Sequence, residues 1–126
     1  GGILVGRYVD SNRVVEVTKA VGPTPDSSGG RFWFERGKNG LADRLDVLWD
    51  DGLYYLGEWH THPDMPPRPS ITDRFHMRRI QRSASYNCAV PALVISGRSI
   101  TRKDMSAFVF PRGQPKISLE RSTPAA

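Results

Sequence analysis

A run of sixteen residues, Glu58-Trp-His-Thr-His-Pro-Asp-Met-Pro-Pro-Arg-Pro-Ser-Ile-Thr-Asp73, constrains the fold more than any other part of the 126-residue chain. The apolar residues ahead of it (Leu53, Tyr54, Tyr55 and Leu56) predict a strand whose alternation continues through His60 and His62. Side chains two apart on a strand leave the same face, about 6.5–7 Å apart along the chain. Two imidazoles so placed can tilt onto one ion at about 2.0–2.1 Å per bond, while Trp59 and Thr61 point the other way. Pro63, Pro66, Pro67 and Pro69 end the strand and stiffen a loop. A helix is expected from Ser70, with Asp73 in its first turn facing back toward the imidazoles. Two His and one carboxylate leave a fourth tetrahedral position open, the mark of a catalytic rather than a structural zinc site.

Each residue also has a simpler reading. A single His is commonly a hydrogen-bonded polar residue, and Ser-x-x-Asp ahead of a helix resembles a capping box. The combination selects metal chemistry: His-x-His, seven residues, Ser, two residues, Asp. Zinc held by His60, His62 and Asp73 would bind a water, lower its pKa toward neutrality and polarise an amide carbonyl.

Taken together, His60-Thr61-His62, Ser70 and Asp73 resemble the signature of the JAMM (MPN+, JAB) zinc metalloproteases, which hydrolyse isopeptide or peptide bonds after ubiquitin-like proteins. Gly1-Gly-Ile-Leu-Val-Gly6 is similar to that family's first strand. With Gly57-Glu-Trp-His-Thr-His-Pro63 it most resembles the bacterial JAB proteases encoded beside ubiquitin-like activating and conjugating enzymes. Those include the deconjugating peptidase of CBASS anti-phage operons. The resemblance runs from Gly1 to about Phe110. It implies one α/β domain over residues 1–120 with a cytidine-deaminase-like core, a mixed β-sheet flanked by helices, and a flexible tail at 121–126. It also implies one zinc ion per chain with a bound water. The implied substrate is a ubiquitin-like protein, or a protein conjugated in a ubiquitin-like manner. Ser70 is implied to hydrogen-bond the tetrahedral oxyanion, a role compatible with capping the helix. Two other functions fit the family: trimming of a sulfur-carrier ubiquitin-like protein, and a metal-binding but catalytically silent interaction module. The intact ligand set argues against the second.

A metalloprotease also needs a general base. In the family this is a Glu just ahead of the Gly-Gly that opens the first strand, and here the chain starts at Gly1. Either an N-terminal segment precedes Gly1 in the native gene, which is the expectation, or this form lacks the base; the 126 residues alone are expected to bind zinc but cleave slowly. Glu58, two residues before His60, stands where eukaryotic relatives usually carry an aromatic residue. It is an acceptor for a His N–H, a surrogate base, or a solvent-facing residue. Glu16, in the polar phase of its strand, is expected to face solvent. His76, three residues after Asp73, is expected to be an exposed or supporting His rather than a fourth ligand.

The remaining pattern places strands at 2–8 and 13–21, a short aromatic strand at 31–35, and a helix from Asn39 or Gly40 carrying Leu41, Leu45, Leu48 and Trp49 on one face. Asp50-Asp51-Gly52 stops that helix. A second helix over 70–83 would bury Ile71, Phe75, Met77, Ile80 and Ala84. Strands are expected at 89–95, 105–110 and 116–120. Hydrophobic content of 38% and charged content of 25% are ordinary for a globular domain. No apolar run approaches the roughly 18 residues that span a bilayer, and no membrane partner is expected. The single cysteine, Cys88, excludes an intramolecular disulfide and suits a reducing cytoplasm. Beside a strand it is expected to be a buried small hydrophobe rather than a nucleophile. Net charge is +5, with Arg74, Arg78, Arg79 and Arg82 on one helix. They are expected to form a solvated basic face, or failing that to meet an acidic protein. Nucleic acid is not an expected partner, since neither exposed aromatics nor a recognised module accompanies the charge.

Overall fold

The structure, a computed structural model, describes residues 1–11, 13–29, 34–35, 40–62, 66–97 and 104–120. In chain order its elements are β1 (Gly2–Val9), β2 (Val14–Val21), β3 (Ser28–Gly29), β4 (Phe34–Glu35), α1 (Leu41–Asp50), β5 (Tyr54–Thr61), α2 (Ile71–Arg82), β6 (Ala92–Ser96), β7 (Met105–Val109) and β8 (Ile117–Ser118). Six strands form one mixed sheet in the order β2-β1-β5-β6-β7-β8, and β3 pairs with β4 apart from it. This is the α/β class expected. Within the sheet β5 and β6 run parallel. A parallel pair needs a crossover between its strands, and α2 supplies it.

Strand register decides which side chains share a face. Ile3 lies opposite Glu58 and Glu58 opposite Leu93, while His60 lies opposite Ile95. Ile3, Val5, Tyr55, Leu93, Ile95 and Phe108 pack in one core with Leu41 of α1 and Met77 and Ile80 of α2. Each such side chain contributes about 1.5–3 kcal/mol by leaving water. Between Leu4 and Val5 the register on β5 jumps from Gly57 to Tyr55, leaving Leu56 as the extra residue of a bulge. The bulge resets the alternation, so Tyr55 and Glu58 share a face although they are three apart. Gly57 is required beside it: a Cβ there would lie 1.9 Å from the Ala92 carbonyl oxygen of β6.

Helix α1 ends as its sequence predicts. Gly52 has φ of 75°, its N–H reaches the Trp49 carbonyl at 2.9 Å, and the Leu53 N–H reaches that of Leu48 at 2.9 Å. These are the paired bonds of a Schellman stop, with Leu48 and Leu53 both packed at the core. Trp49, expected on the buried face, is instead 53% exposed.

Helix α2 departs further. Its buried residues are Asp73, Met77, Ile80 and Gln81, whereas Ile71 and Phe75 are 75% and 76% exposed and Ala84 is exposed beyond the helix end. At 3.6 residues per turn, positions two before and two after Asp73 fall on nearly the opposite side of the helix. Turning Asp73 inward therefore turns Ile71 and Phe75 outward. The strand expected at 89–95 begins only at Ala92, because Pro91 has no N–H for a ladder. Its carbonyl instead accepts from Phe110 N at 3.0 Å. Of the strand expected at 31–35, Phe34–Glu35 forms β4, and 31–33 lie outside the described residues, as do Asn39 and the tail at 121–126. Among the described residues no helix is long and apolar enough to cross a membrane.

Candidate metal centre

Strand β5 carries His60 at its C-terminal end, and His62 follows directly, held on the ladder by its N–H to the Ser96 carbonyl at 2.7 Å. In open α/β sheets, ligands gather beyond the carboxyl ends of the strands. The two imidazoles lie side by side, centroids 4.9 Å apart and planes at 26°. Asp73 reaches them from the first turn of α2. His60, His62 and Asp73 are all buried.

The distances fit a metal. Asp73 Oδ2 stands 3.3 Å from His60 Nε2 and 3.4 Å from His62 Nε2, and one ligand atom from each residue lies within 4.8 Å of the others. Four atoms held tetrahedrally at about 2.0–2.1 Å from one ion sit about 3.3–3.4 Å from each other. His62 Nδ1 lies 3.5 Å from the Pro66 carbonyl oxygen. A carbonyl only accepts, so a hydrogen bond across this contact has Nδ1 as its donor, the tautomer that a metal bound at Nε2 requires. That Nε2 is buried and makes no hydrogen bond. Among the described residues these three form the group able to hold a metal ion. His76 is half-buried and stays outside it.

The capping box and the metal geometry coexist. Ser70 N–H donates to Asp73 Oδ2 at 2.8 Å, and Asp73 N–H donates to Ser70 Oγ at 3.1 Å. Burial acts to raise the Asp73 carboxyl, but His60 beside it and the hydrogen bonds from Ser70 bring it below the ordinary value. The site thus holds a carboxylate. Ser70 Oγ accepts the Asp73 N–H while its own proton faces the Asp73 carboxylate, so the hydroxyl must turn from Asp73 to donate to a substrate oxygen.

Glu58 is 4% exposed, which removes the solvent-facing reading. Tyr55 Oη donates to its Oε2, and both side chains lie on the His60 face. The sequence offers no sign of Tyr55 in this role, because the bulge at Leu56 is what brings it there. Glu16 is exposed as expected. Cys88 is buried in the core with Sγ 3.9 Å from both the Tyr8 hydroxyl and the Leu56 carbonyl, and burial pushes its thiol up, which suits a packing residue.

A mixed sheet with a crossover helix thus brings two His from the end of a strand and one Asp from the helix into a group that could hold a metal ion. Residues 1–110 match the family described as prokaryotic homologs of the JAB domain, and the chain belongs to that family. It is 39% identical over 120 residues to the CD-NTase/cGAS isopeptidase of Enterobacter hormaechei, covering 94% of this chain and 67% of that protein. It is 35% identical over 103 residues to the CD-NTase/cGAS isopeptidase of Pseudomonas aeruginosa, covering 79% of this chain and 63% of that protein. The chain thus spans about two thirds of the length of these relatives. Its fold is similar to the solution structure of a protein from Desulfitobacterium hafniense, with a TM-score of 0.54 at 18% identity over 94% of this chain and 73% of that one.

Proposed function

We propose that this chain is the metal-binding domain of a zinc-dependent isopeptidase that releases a protein joined through its C terminus to a lysine. The observation that carries the proposal is the convergence of His60 Nε2 and His62 Nε2 on Asp73 Oδ2, at 3.3 and 3.4 Å, the separation of two ligands on one tetrahedral ion. The names of the relatives supply the substrate class, a CD-NTase conjugate, and favour it over a sulfur-carrier protein. A CBASS setting, which those names support, and a bacterial cytoplasm are part of the same proposal.

Zinc bound here would supply an acidified water and a polarised carbonyl. The chain's own residues do the rest. Pro66 fixes the tautomer of His62, and the Ser70 backbone N–H steadies Asp73. Ser70 Oγ donates to the oxygen that gains negative charge, an effect of about 2.7–4 kcal/mol for a single such donor. Glu58, buried and held by Tyr55, orients the His60 end of β5 rather than carrying protons. Because Gly2 lies opposite Trp59, a Glu one or two positions ahead of Gly1 would extend β1 beside Thr61 or His62. That position suits the general base.

The test is cleavage of a CD-NTase joined to a lysine peptide, followed by mass spectrometry. A zinc-loaded form extended by a Glu ahead of Gly1 releases the intact C terminus, and the chain starting at Gly1 does so about 10²–10⁴-fold more slowly. Absence of cleavage by the extended form refutes the function. Equal rates for the two forms move the base to Glu58.

A further inference from the structure

The outer face of α2 has no part in the metal centre, yet it is built unlike a solvated surface. We propose that Ile71 and Phe75, ringed by Arg74, Arg79 and Arg82, form the docking surface for an acidic protein face of the substrate conjugate; this rests on the function proposed above.

Ile71 and Phe75 stand one turn apart and three-quarters exposed. Around Phe75 runs a groove of about 480 Å³ lined by Arg74, Phe75, Arg78, Arg79 and Arg82. A second, of about 470 Å³, shares Arg78 and Arg82 and carries the positive strip on to Arg112. Arg78 is committed to the fold: it donates to the Pro111 carbonyl at 2.8 Å and to that of Gln114 at 2.5 Å, and lies over the Phe110 ring. Arg74, Arg79 and Arg82 remain to receive a partner. The one acidic residue of α2, Asp73, is buried on the other side.

Charge and apolar area together select the occupant. A purely solvated basic face has no use for an exposed Phe beside an exposed Ile. Phosphates would satisfy the arginines but leave both apolar side chains without contact. An acidic protein face with an apolar centre satisfies both. The permanently charged basic residues of α2 are all Arg, with no Lys, and Arg both forks onto carboxylates and is enriched at protein interfaces. Ile71 directly follows Ser70, so a partner lying along the roughly 17 Å of α2 abuts the metal centre at one end. Its linkage would enter the site while its surface stays on the helix.

Kinetics on two substrates test this, using the zinc-loaded protein: the CD-NTase–lysine conjugate, and a short peptide spanning the same isopeptide bond. Phe75→Ser and Arg79→Glu should each raise KM for the conjugate about tenfold or more, as loss of an interface anchor does. They should leave kcat, peptide turnover and zinc content unchanged. Added salt should raise KM for the wild type and do so less for Arg79→Glu. An unchanged conjugate KM overturns the proposal, as does a matching loss on the short peptide. So does loss of DNA-duplex binding with KM unchanged, which would give the face to nucleic acid. Docking is also read without cleavage, by fluorescence polarisation of labelled conjugate on His62→Ala. Binding there that survives Phe75→Ser sinks the docking surface whether or not the isopeptidase reading holds.

Discussion

Asp73 Oδ2 accepts the Ser70 N–H at 2.8 Å while standing 3.3 and 3.4 Å from two imidazole nitrogens. One carboxylate therefore fixes the start of α2 and completes the ligand set. This makes Ser70 ambiguous, and two substitutions separate its roles. Ser70→Ala should keep the metal, lose about 0.5–2 kcal/mol of stability with the cap, and lose about 10²–10³-fold in kcat with the hydroxyl. Ser70→Gly should lose only a few tenths of a kcal/mol in stability but the same rate. Urea unfolding beside single-turnover kinetics distinguishes them, and a rate loss that merely tracks the stability loss would contradict the oxyanion role. His60, His62, Ser70 and Asp73 were legible in the sequence because the ligand pattern is local: two positions on one strand and one turn of one helix. Tyr55 was not legible. Its place beside Glu58 depends on the register jump against β1, a pairing between residues some fifty positions apart that no local pattern encodes.

At the scale of elements, the phase of α2 is set by its carboxylate rather than by its largest apolar residues. Apolar periodicity ranks Ile71 and Phe75 with Met77 and Ile80. Asp73 shares a face only with the latter pair, and Gln81 joins them by donating to the Phe110 carbonyl at 2.6 Å. Hydrophobicity alone thus gave the existence and length of the helix but the wrong orientation for its first turn. The strand side has an equally specific demand at Gly57. Gly57→Ala would drive a Cβ to 1.9 Å from the Ala92 oxygen and push β5 from β6. A loss of about 1–3 kcal/mol is expected from such overpacking, together with weaker zinc retention, because β5 and β6 seat both imidazoles. Urea unfolding and metal analysis check this, and a variant of wild-type stability and metal content would refute the close approach.

Across the whole molecule, one parallel pair and its crossover helix bring the strand-borne imidazoles and the helix-borne carboxylate to one end of the sheet, while β1 delivers Gly1 to the level of His60. The far end of β1 carries a separate device. Partial burial, Tyr8 being 38% exposed, with Cys88 alongside pushes its hydroxyl up to about 12. The neutral phenol is thus favoured by folding, and its stabilisation is full below the unfolded value near pH 10 and lost as pH climbs through 12. Unfolding free energy should fall between about pH 10 and 12, and Tyr8→Phe should flatten the decline. An equal decline in the variant would remove Tyr8 from that account.

The central claim, that two imidazoles and a helix-borne carboxylate meet on one ion, is tested most directly by zinc titration of the purified, metal-stripped chain. The account predicts one zinc per chain for the wild type and none retained by His62→Ala. Failure of the wild type to take up zinc, or undiminished uptake by His62→Ala, would contradict it.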